Sequence, residues 1–457
     1  MKTNTLDFDA QALRERILDL AMRGKLVPQD PNNEPASTLL KSCDLKSANE
    51  QPHVIPRSWE WIVLGSAVKF INGRAYKKAE LLEDKSLTPV LRVGNLFTNS
   101  SWYYSDLQLD PDKYIDNGDL IYAWSASFGP RIWDGGHVIY HYHIWKLVLD
   151  QVVDKNYLYY FLLDKRNVIG ETDLHGSTMK HITKTNMEHL SFPLPPLIEQ
   201  QRIAAKIAQL FALLRKVESS TQQYAELQTL LKTKVLDLAM RGKLVKQDPN
   251  DEPASILLEK IKAEKAELVK EKKIKRSKSL PPITDEEKPF NIPDSWEWVR
   301  LGDILKPEIH QKPQQNFLYI DIASVDNTIN KITNPTKVNV SNDKIASRAR
   351  QLLDSDDILF SVVRPYLKNI AMVPNTSDYK IGSTGFYVLK PFSLIDRKYI
   401  FYLVLSNYVI QNMTKKMKGD NSPSIRKGDL QNLVVPLPPR VEQKHIVDKI
   451  ISLYKLI

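Results

Sequence analysis

The chain has 457 residues, with 64 Lys and Arg against 54 Asp and Glu, a formal charge of +10 and one cysteine. The lone Cys43 excludes a disulfide framework and a thiolate metal site. No apolar run reaches the roughly 18 residues a membrane span needs, and the opening MKTNTLDFDAQ lacks a signal-peptide core, so a soluble cytoplasmic protein is expected, its basic balance favouring a polyanionic partner without requiring one.

From the N-terminus, residues 1–54 read as a helical segment. Leu13, Ile17, Leu20 and Ala21 follow helical spacing. They lead into LDLAMRGKLV at 18–27 and QDPNNEPAS at 29–37. Residues 55–196 read as a mixed α and β domain that opens on SWEW at 58–61 and closes on PLPPLIEQ at 193–200. Its β-rich runs are 120–124 and 138–149, and 157–163 is a short aromatic helix.

Residues 197–291 form a central region. No Gly or Pro interrupts Leu197 to Arg241, which leaves room for a helix roughly 65 Å long. Its apolar stripe runs through Ile203, Ile207, Leu210, Phe211, Leu214 and Val217. It continues through Tyr224, Leu227, Leu231, Val235 and Leu238, and Gly242 follows as a stop signal. LDLAMRGKLV returns at 236–245 and QDPNDEPAS at 247–255. A Lys-rich helical run over 256–279 comes next, ended by Pro281 and Pro282. It reads as a solvated helix with Glu–Lys pairing. Residues 292–439 are a second mixed domain, with SWEW at 295–298, β-rich 358–363 and 386–389, an aromatic helix at 399–405 and PLPPRVEQ at 436–443. In residues 440–457, Ile446, Ile450, Leu453, Tyr454 and Ile457 repeat the spacing that starts the long stripe.

The chain is therefore written twice. The central region has one unbroken copy and one copy split between the chain ends. Residues 441–457 copy 198–214, and residue 1 falls opposite Ser219. Only Arg215 to Glu218 lack a counterpart, so the two ends should imitate the long helix and approach within about 6 Å along its axis. The natural packing is an antiparallel, coiled-coil-like pair.

Shared marks hold the two mixed domains in a common frame. Asp119-Leu120-Ile121-Tyr122 aligns with Asp357-Ile358-Leu359-Phe360, and GSTMKHI at 176–182 with GDNSPSI at 419–425. Between the marks they differ: NGRAYKKAE at 72–80 and SWYYSD at 101–106 against 311–316 and the strand-rich 327–340. A constant frame with unlike loops fits two readers of different targets, and equally fits loops that drifted after duplication. Arg74, Lys77, Lys78, Arg92, Arg131 and Lys180 punctuate the first domain. Arg348, Arg350, Arg364, Lys368, Lys415, Lys416, Lys418, Arg426 and Lys427 punctuate the second. Each suits a phosphate or a guanine edge, or simply solvent.

No active site assembles from the sequence. There is no GxxxxGK[ST] loop, and Asn334-Pro335-Thr336 lacks the second proline and the aromatic of an amino-methyltransferase motif. Glu83-Asp84-Lys85 and Asp285 to Lys288 are only fragments of a nuclease site. His141 and His143 would point the same way on a strand, with His137 as a third metal ligand. The second domain offers Ser383 and Gly385 opposite the first two, so a metal function shared by both halves is excluded.

On these repeats the whole chain resembles the specificity subunits of type I restriction–modification enzymes. LDLAMRGKLV with QDPN.EPAS, IP.SWEW..LG, the G.....I segment and PLPP..EQ each occur twice, in order. The resemblance implies an α+β fold with two similar target recognition domains, joined by two long antiparallel helices in a pseudo-two-fold repeat. Each domain would read one half of an asymmetric, bipartite site in double-stranded DNA. The helices would set the spacer and dock two methyltransferase subunits, and two translocating endonuclease subunits would join them. S-adenosylmethionine, ATP and magnesium would belong to those partners, leaving this chain without cofactor or catalysis. The G.....I positions would put Lys180 and His181 near DNA in the first domain, and Ser424 and Arg426 in the second. Two departures stand out: the C-terminal helix is shorter than in many relatives, and the Lys-rich insertion occurs in one copy only. The competing readings are a DNA-binding adaptor outside restriction, an autonomous nuclease or methyltransferase, and a pure protein scaffold.

Overall fold

The computed structural model describes residues 8–125, 128–169, 183–276 and 279–457. The chain divides into two compact units, Met1–Gln222 and Gln223–Ile457.

The first unit holds two four-stranded sheets and a two-stranded ribbon. One sheet runs Val68–Asn72, Ile144–Leu149, Leu120–Ala123, Gly129–Ile132, with every neighbour antiparallel. The other runs Tyr103–Ser105, Thr88–Leu91, Val138–Tyr140, Tyr114–Ile115, with its central pair parallel. The ribbon pairs Glu60–Val63 with Ser191–Leu194, in the register Glu60↔Leu194. The single strand expected over 138–149 is two strands in different sheets. The chain must cross from one sheet to the other, so a turn at His141 to His143 interrupts the run.

The second unit repeats this plan strand for strand. Leu305–Lys306, Phe386–Pro391, Ile358–Ser361 and Ile370–Met372 form the antiparallel sheet. Thr336–Val338, Phe317–Ile320, Lys380–Ser383 and Ala349–Leu353 form the mixed one, again with a parallel central pair. The ribbon pairs Glu297–Arg300 with Val434–Leu437 in the matching register Glu297↔Leu437. A small hairpin, Val325–Asp326 with Lys331–Ile332, is added in this unit. Asp119 and Asp357, the first letters of the shared DLIY and DILF marks, each pair with a lysine of the neighbouring strand. Asp119 meets Lys146 at 2.7 Å, and Asp357 meets the buried Lys390.

One helix, Leu197–Met240, runs unbroken for 44 residues, about 66 Å at 1.5 Å per residue. Its first part gives Ile203, Ile207, Phe211 and Leu214 to the core of the first unit, beside Leu18, Ala21 and Met22 of the helix Ala10–Met22. Its last part gives Val235, Leu236, Ala239 and Met240 to the second core, beside Ile446, Val447 and Ile450 of the helix Arg440–Tyr454. Direction follows from the contacts. In the first unit Arg14 meets Glu218 and Gln29 meets Glu199. In the second, Tyr454 Oη donates to Lys232 O at 3.1 Å and Gln247 Nε2 to Glu442 at 2.8 Å. Each short helix is thus antiparallel to the stretch it covers.

The apolar stripe is buried only in part. Ile203, Ile207, Leu214, Ile446 and Ile450 are buried, and Ile17, Leu210, Leu238 and Leu453 are half-buried. Leu13, Leu227 and Leu231 depart from expectation, being 42%, 56% and 51% exposed. The flanking helices have 13 and 15 residues, too few together to cover 44. Met1 to Asp7 lie outside the described residues, and with them the expected meeting of residue 1 with Ser219.

The repeated motifs are joints. LDLAMRGKLV closes a helix with two hydrogen bonds, Lys25 N–H to Leu20 O at 2.8 Å and Gly24 N–H to Ala21 O at 3.1 Å. The second copy does the same through Lys243 to Leu238 at 2.8 Å and Gly242 to Ala239 at 3.2 Å. This is a Schellman end, and it requires the left-handed conformation at its fifth position. Gly24 and Gly242 both have φ +65°, and a Cβ there would lie 2.3 Å from Pro56 and 2.4 Å from Pro293. PLPP..EQ supplies a buried pair at each helix start. Gln200 Oε1 accepts from Asp154 N–H at 2.8 Å and Gln443 Oε1 from Asp396 N–H at 2.9 Å. Glu442 accepts from Trp296 Nε1 and Gln247 Nε2, each at 2.8 Å. One residue from each of three repeated motifs therefore meets in a single node.

The Lys-rich helix is shorter than its sequence suggested. It spans Ala254–Lys270 and ends where Lys272 adopts φ +57°. Beyond it the lysines crowd at spacings where like charges repel. It is also less solvated than expected: Leu257 and Ile261 are buried, and Glu264 reaches Lys306 and Ser393.

Candidate nucleic-acid interface

In each unit the strand that carries the DLIY or DILF mark leads into a hairpin connection. The strands it joins are Leu120–Ala123 and Gly129–Ile132 in the first unit, and Ile358–Ser361 and Ile370–Met372 in the second. The same place in the frame holds different chemistry.

In the second unit, a short turn, Pro365–Leu367, sits between Arg364 at φ +47° and Lys368 at φ +52°. Left-handed backbone is unfavourable for side chains of this kind and persists only where surroundings enforce it. Here they do. Arg364 N–H donates to Pro423 O at 2.9 Å and its Nη2 to Asn421 O at 3.0 Å. Asn327 Nδ2 donates to Leu367 O at 2.8 Å, and Asn330 Nδ2 to Lys368 O at 2.9 Å and Ile370 O at 3.1 Å. Burial lowers the Lys368 pKa. Ser424 exchanges two backbone hydrogen bonds with Lys418, at 2.9 and 3.0 Å, and bridges to Val363. Lys416, at the end of the helix Asn407–Lys416, and the exposed Arg426 flank that bridge.

The fold thus brings Arg364, Lys368, Lys416, Lys418, Ser424 and Arg426 into one neighbourhood. Arg348 stands apart: it is exposed just before the strand Ala349–Leu353 of the other sheet. Lys427 is drawn inward, donating to both oxygens of Glu308 at 2.8 and 2.6 Å.

The first unit presents aromatic and imidazole edges instead. Trp124 Nε1 donates to Tyr142 O at 3.0 Å, and its ring meets His143 edge-on at 4.9 Å. His141 stacks on Tyr76 at 6.4 Å and lies 4.8 Å from His143. Burial, then His143 and Arg92, push the His141 pKa down to about 4, so this imidazole is neutral at pH 7. Tyr142 is 39% exposed beside them. The basic residues here are largely engaged within the domain. Arg74 pairs with Glu80 at 2.8 Å, Arg92 lies 4.3 Å over the Tyr103 ring, and Arg131 donates to Leu96 O at 2.8 Å. Lys77 is exposed. Lys180 and His181 fall outside the described residues.

Among the described residues no group of three His, Cys, Asp or Glu side chains could hold a metal ion. His137 bonds to Asp116 at 2.7 Å and stacks on Tyr114. Of the nuclease-like fragments, Asp84 bonds Ser86, Asp285 bonds Lys288 at 2.6 Å, and Glu287 clasps the buried Arg300 through two bonds of 2.7 Å. Sequence reasoning missed Trp124, Tyr142, Tyr366 and Leu367 as surface features. For Trp124, Tyr366 and Leu367 the signal was available, as apolar residues on the connections that follow the DLIY and DILF marks and differ between the halves; Tyr142 lies instead between the strands Val138–Tyr140 and Ile144–Leu149.

One frame used twice, with unlike connections at the same place, defines a class of chain built from paired recognition domains. The family model described as the type I restriction modification DNA specificity domain matches residues 56–229 and again 293–457. The chain belongs to that family. Specificity subunits of this kind recognise DNA and are not catalytic by themselves.

The EcoAI specificity subunit of Escherichia coli is 30% identical over 97% of this chain and 88% of its own length. The EcoEI subunit of Escherichia coli is 32% identical over 65% of this chain and 62% of its own length. The MjaVIII subunit of Methanocaldococcus jannaschii is 24% identical over 88% of both. Among solved structures, the HsdS subunit of Thermoanaerobacter tengcongensis is 37% identical over 36% of this chain and 44% of that one, with a TM-score of 0.34. Among the described residues no helix is long and apolar enough to cross a membrane.

Proposed function

We propose that this chain is the specificity subunit of a type I restriction–modification enzyme, and that each domain reads one half of an asymmetric, bipartite site in double-stranded DNA. The observation that carries it is the identical strand order of the two units around hairpin connections of opposite character. One is aromatic and uncharged, the other strained and cationic, so the two half-sites differ. Residues 55–196 and 292–439 are the readers in this proposal. Residues 1–54, 197–291 and 440–457 are the parts that hold them.

The DNA-facing residues in this reading are Arg74, Lys77, Arg92, Arg131, Lys180 and His181 in the first domain. In the second they are Arg348, Arg364, Lys368, Lys416, Lys418, Ser424 and Arg426. For the lysines and arginines the support is positive charge, which suits phosphate neutralisation; Arg131 sits in the strand Gly129–Ile132, and uncharged Ser424 is supported by its bridge to Lys418 and Val363. Exposed apolar residues of the long helix, Leu213 and Val217 in the first unit and Tyr224, Leu227, Leu230 and Leu231 in the second, support docking of two methyltransferase subunits. Two endonuclease subunits complete the enzyme. The partners carry S-adenosylmethionine, ATP and magnesium, and the assembly works on double-stranded DNA in the cytoplasm.

The test is to purify the tagged chain with its neighbouring system genes and to read the methylated bases of a host that carries them. A stable complex with methyltransferase and one modified bipartite motif is the expected result. A chain that purifies alone, in a host with no modified motif, would contradict the proposal.

A further inference from the structure

The turn Pro365–Leu367 exposes apolar side chains between two basic ones. Tyr366 is 46% and Leu367 40% exposed, while Pro365 is buried beneath them. Strain is concentrated at this spot: among the described residues, three of the six left-handed non-glycine residues, Asn330, Arg364 and Lys368, belong to this turn and its support. The supporting bonds from Asn327 and Asn330 come from 327–340, a segment the sequence marks as peculiar to the second domain. None of the bonds that fix the turn uses the Tyr366 ring or the Leu367 side chain. A rigid apolar tip is therefore held outward by groups other than itself. The first unit has Trp124 and Phe128 on the equivalent connection.

We propose that Tyr366 and Leu367 are the specificity-determining tip of the second domain. They make apolar contact with bases of its half-site, while Arg364 and Lys368 engage phosphates on either side. This rests on the DNA-reading function proposed above and adds which atoms read. The chemistry is consistent: apolar side chains discriminate bases by contact with a thymine methyl or by wedging into a base step, whereas flanking cations bind without regard to sequence. Left-handed backbone fixes the tip before DNA arrives, so little ordering entropy is lost on binding.

The experiment uses the complete complex with its methyltransferase subunits and the motif read from the wild-type host. Affinity is measured for a duplex carrying that motif and for one with both halves scrambled, across a salt series. The Tyr366→Ala Leu367→Ala variant should bind the motif duplex at least tenfold more weakly. It should bind the scrambled duplex as the wild type does, with the same salt slope. In the host it should relax one half of the modified motif and keep the other. Arg364→Asn, which tolerates the left-handed backbone, should instead weaken both duplexes and lower the salt slope by about one unit. A double variant with wild-type affinity for both duplexes and an unchanged motif would overturn the assignment of the tip. So would an equal loss on both duplexes. A wild-type complex that modifies no bipartite motif removes the DNA-reading function itself, and so is told apart from failure of the tip alone.

Discussion

Glu442 explains what a repeated dipeptide is for. Its carboxylate accepts from Trp296 and Gln247, and burial raises its pKa above the ordinary glutamate value of 4.5. Glu199 occupies the same position in the first unit, also with its pKa raised by burial. A carboxyl raised in the folded state binds its proton more tightly there than when unfolded. Its stabilising contribution is thus complete below about pH 4.5 and is lost as pH rises through the folded value. Glu442→Gln keeps an acceptor and removes the charge. Its melting temperature relative to wild type should therefore climb between pH 4 and pH 7 in a thermal-shift series. A difference that stays flat or falls across that window would show that the charge is not strained. The sequence displayed EQ twice as a marker. Its role as the acceptor of an indole and an amide from two other repeats was invisible, because Glu442 and Trp296 are 146 residues apart.

At the scale of elements, the helices were the readable part. The stretch free of Gly and Pro, Leu197 to Arg241, placed the long helix to within a residue of Leu197–Met240, and apolar spacing ran along it from Ile203 to Leu238, since helical periodicity is a local code. What the spacing could not show was which turns are covered. Leu227 and Leu231 share the spacing of Ile203 and Ile207, yet they are exposed while the latter are fully buried. The exposed stretch of the helix makes a prediction. Residues 219–227 are all exposed, so inserting one or two helical turns there disturbs neither core. Each added turn of 3.6 residues lengthens the helix by about 5.4 Å. The modified motif of a host carrying such a variant should show a longer spacer between unchanged half-sites. An altered half-site with the old spacer would speak against the helix as the ruler. The Lys-rich helix teaches the opposite lesson. Composition alone made it a solvated arm, whereas Leu257, Ile261 and Glu264 fasten it to the second domain.

At the scale of the whole molecule, the two ribbons matter most. Glu60↔Leu194 and Glu297↔Leu437 close their domains in the same register, between the same buried EQ pair and the same SWEW segment. The boundaries are therefore interchangeable. Replacing residues 61–193 by 298–436 should give a folded chain with two identical readers. On the pseudo-two-fold repeat that the family resemblance implies, its host should modify an inverted repeat of the second half-site. Methylome sequencing that still returned the original asymmetric motif would break the link between domain and half-site.

The sequence by itself determined the duplication, the split copy, the long helix and the family, because each is written in contiguous letters or in short-range periodicity. Tertiary structure alone decided what the loops present. Arg364 reaches Asn421 and Pro423, and Lys368 takes its support from Asn330, across tens of residues with no pattern linking them. Such encounters depend on strand order in sheets that no local code specifies. A charge list could therefore name the cations, but not reveal the strained apolar tip they enclose.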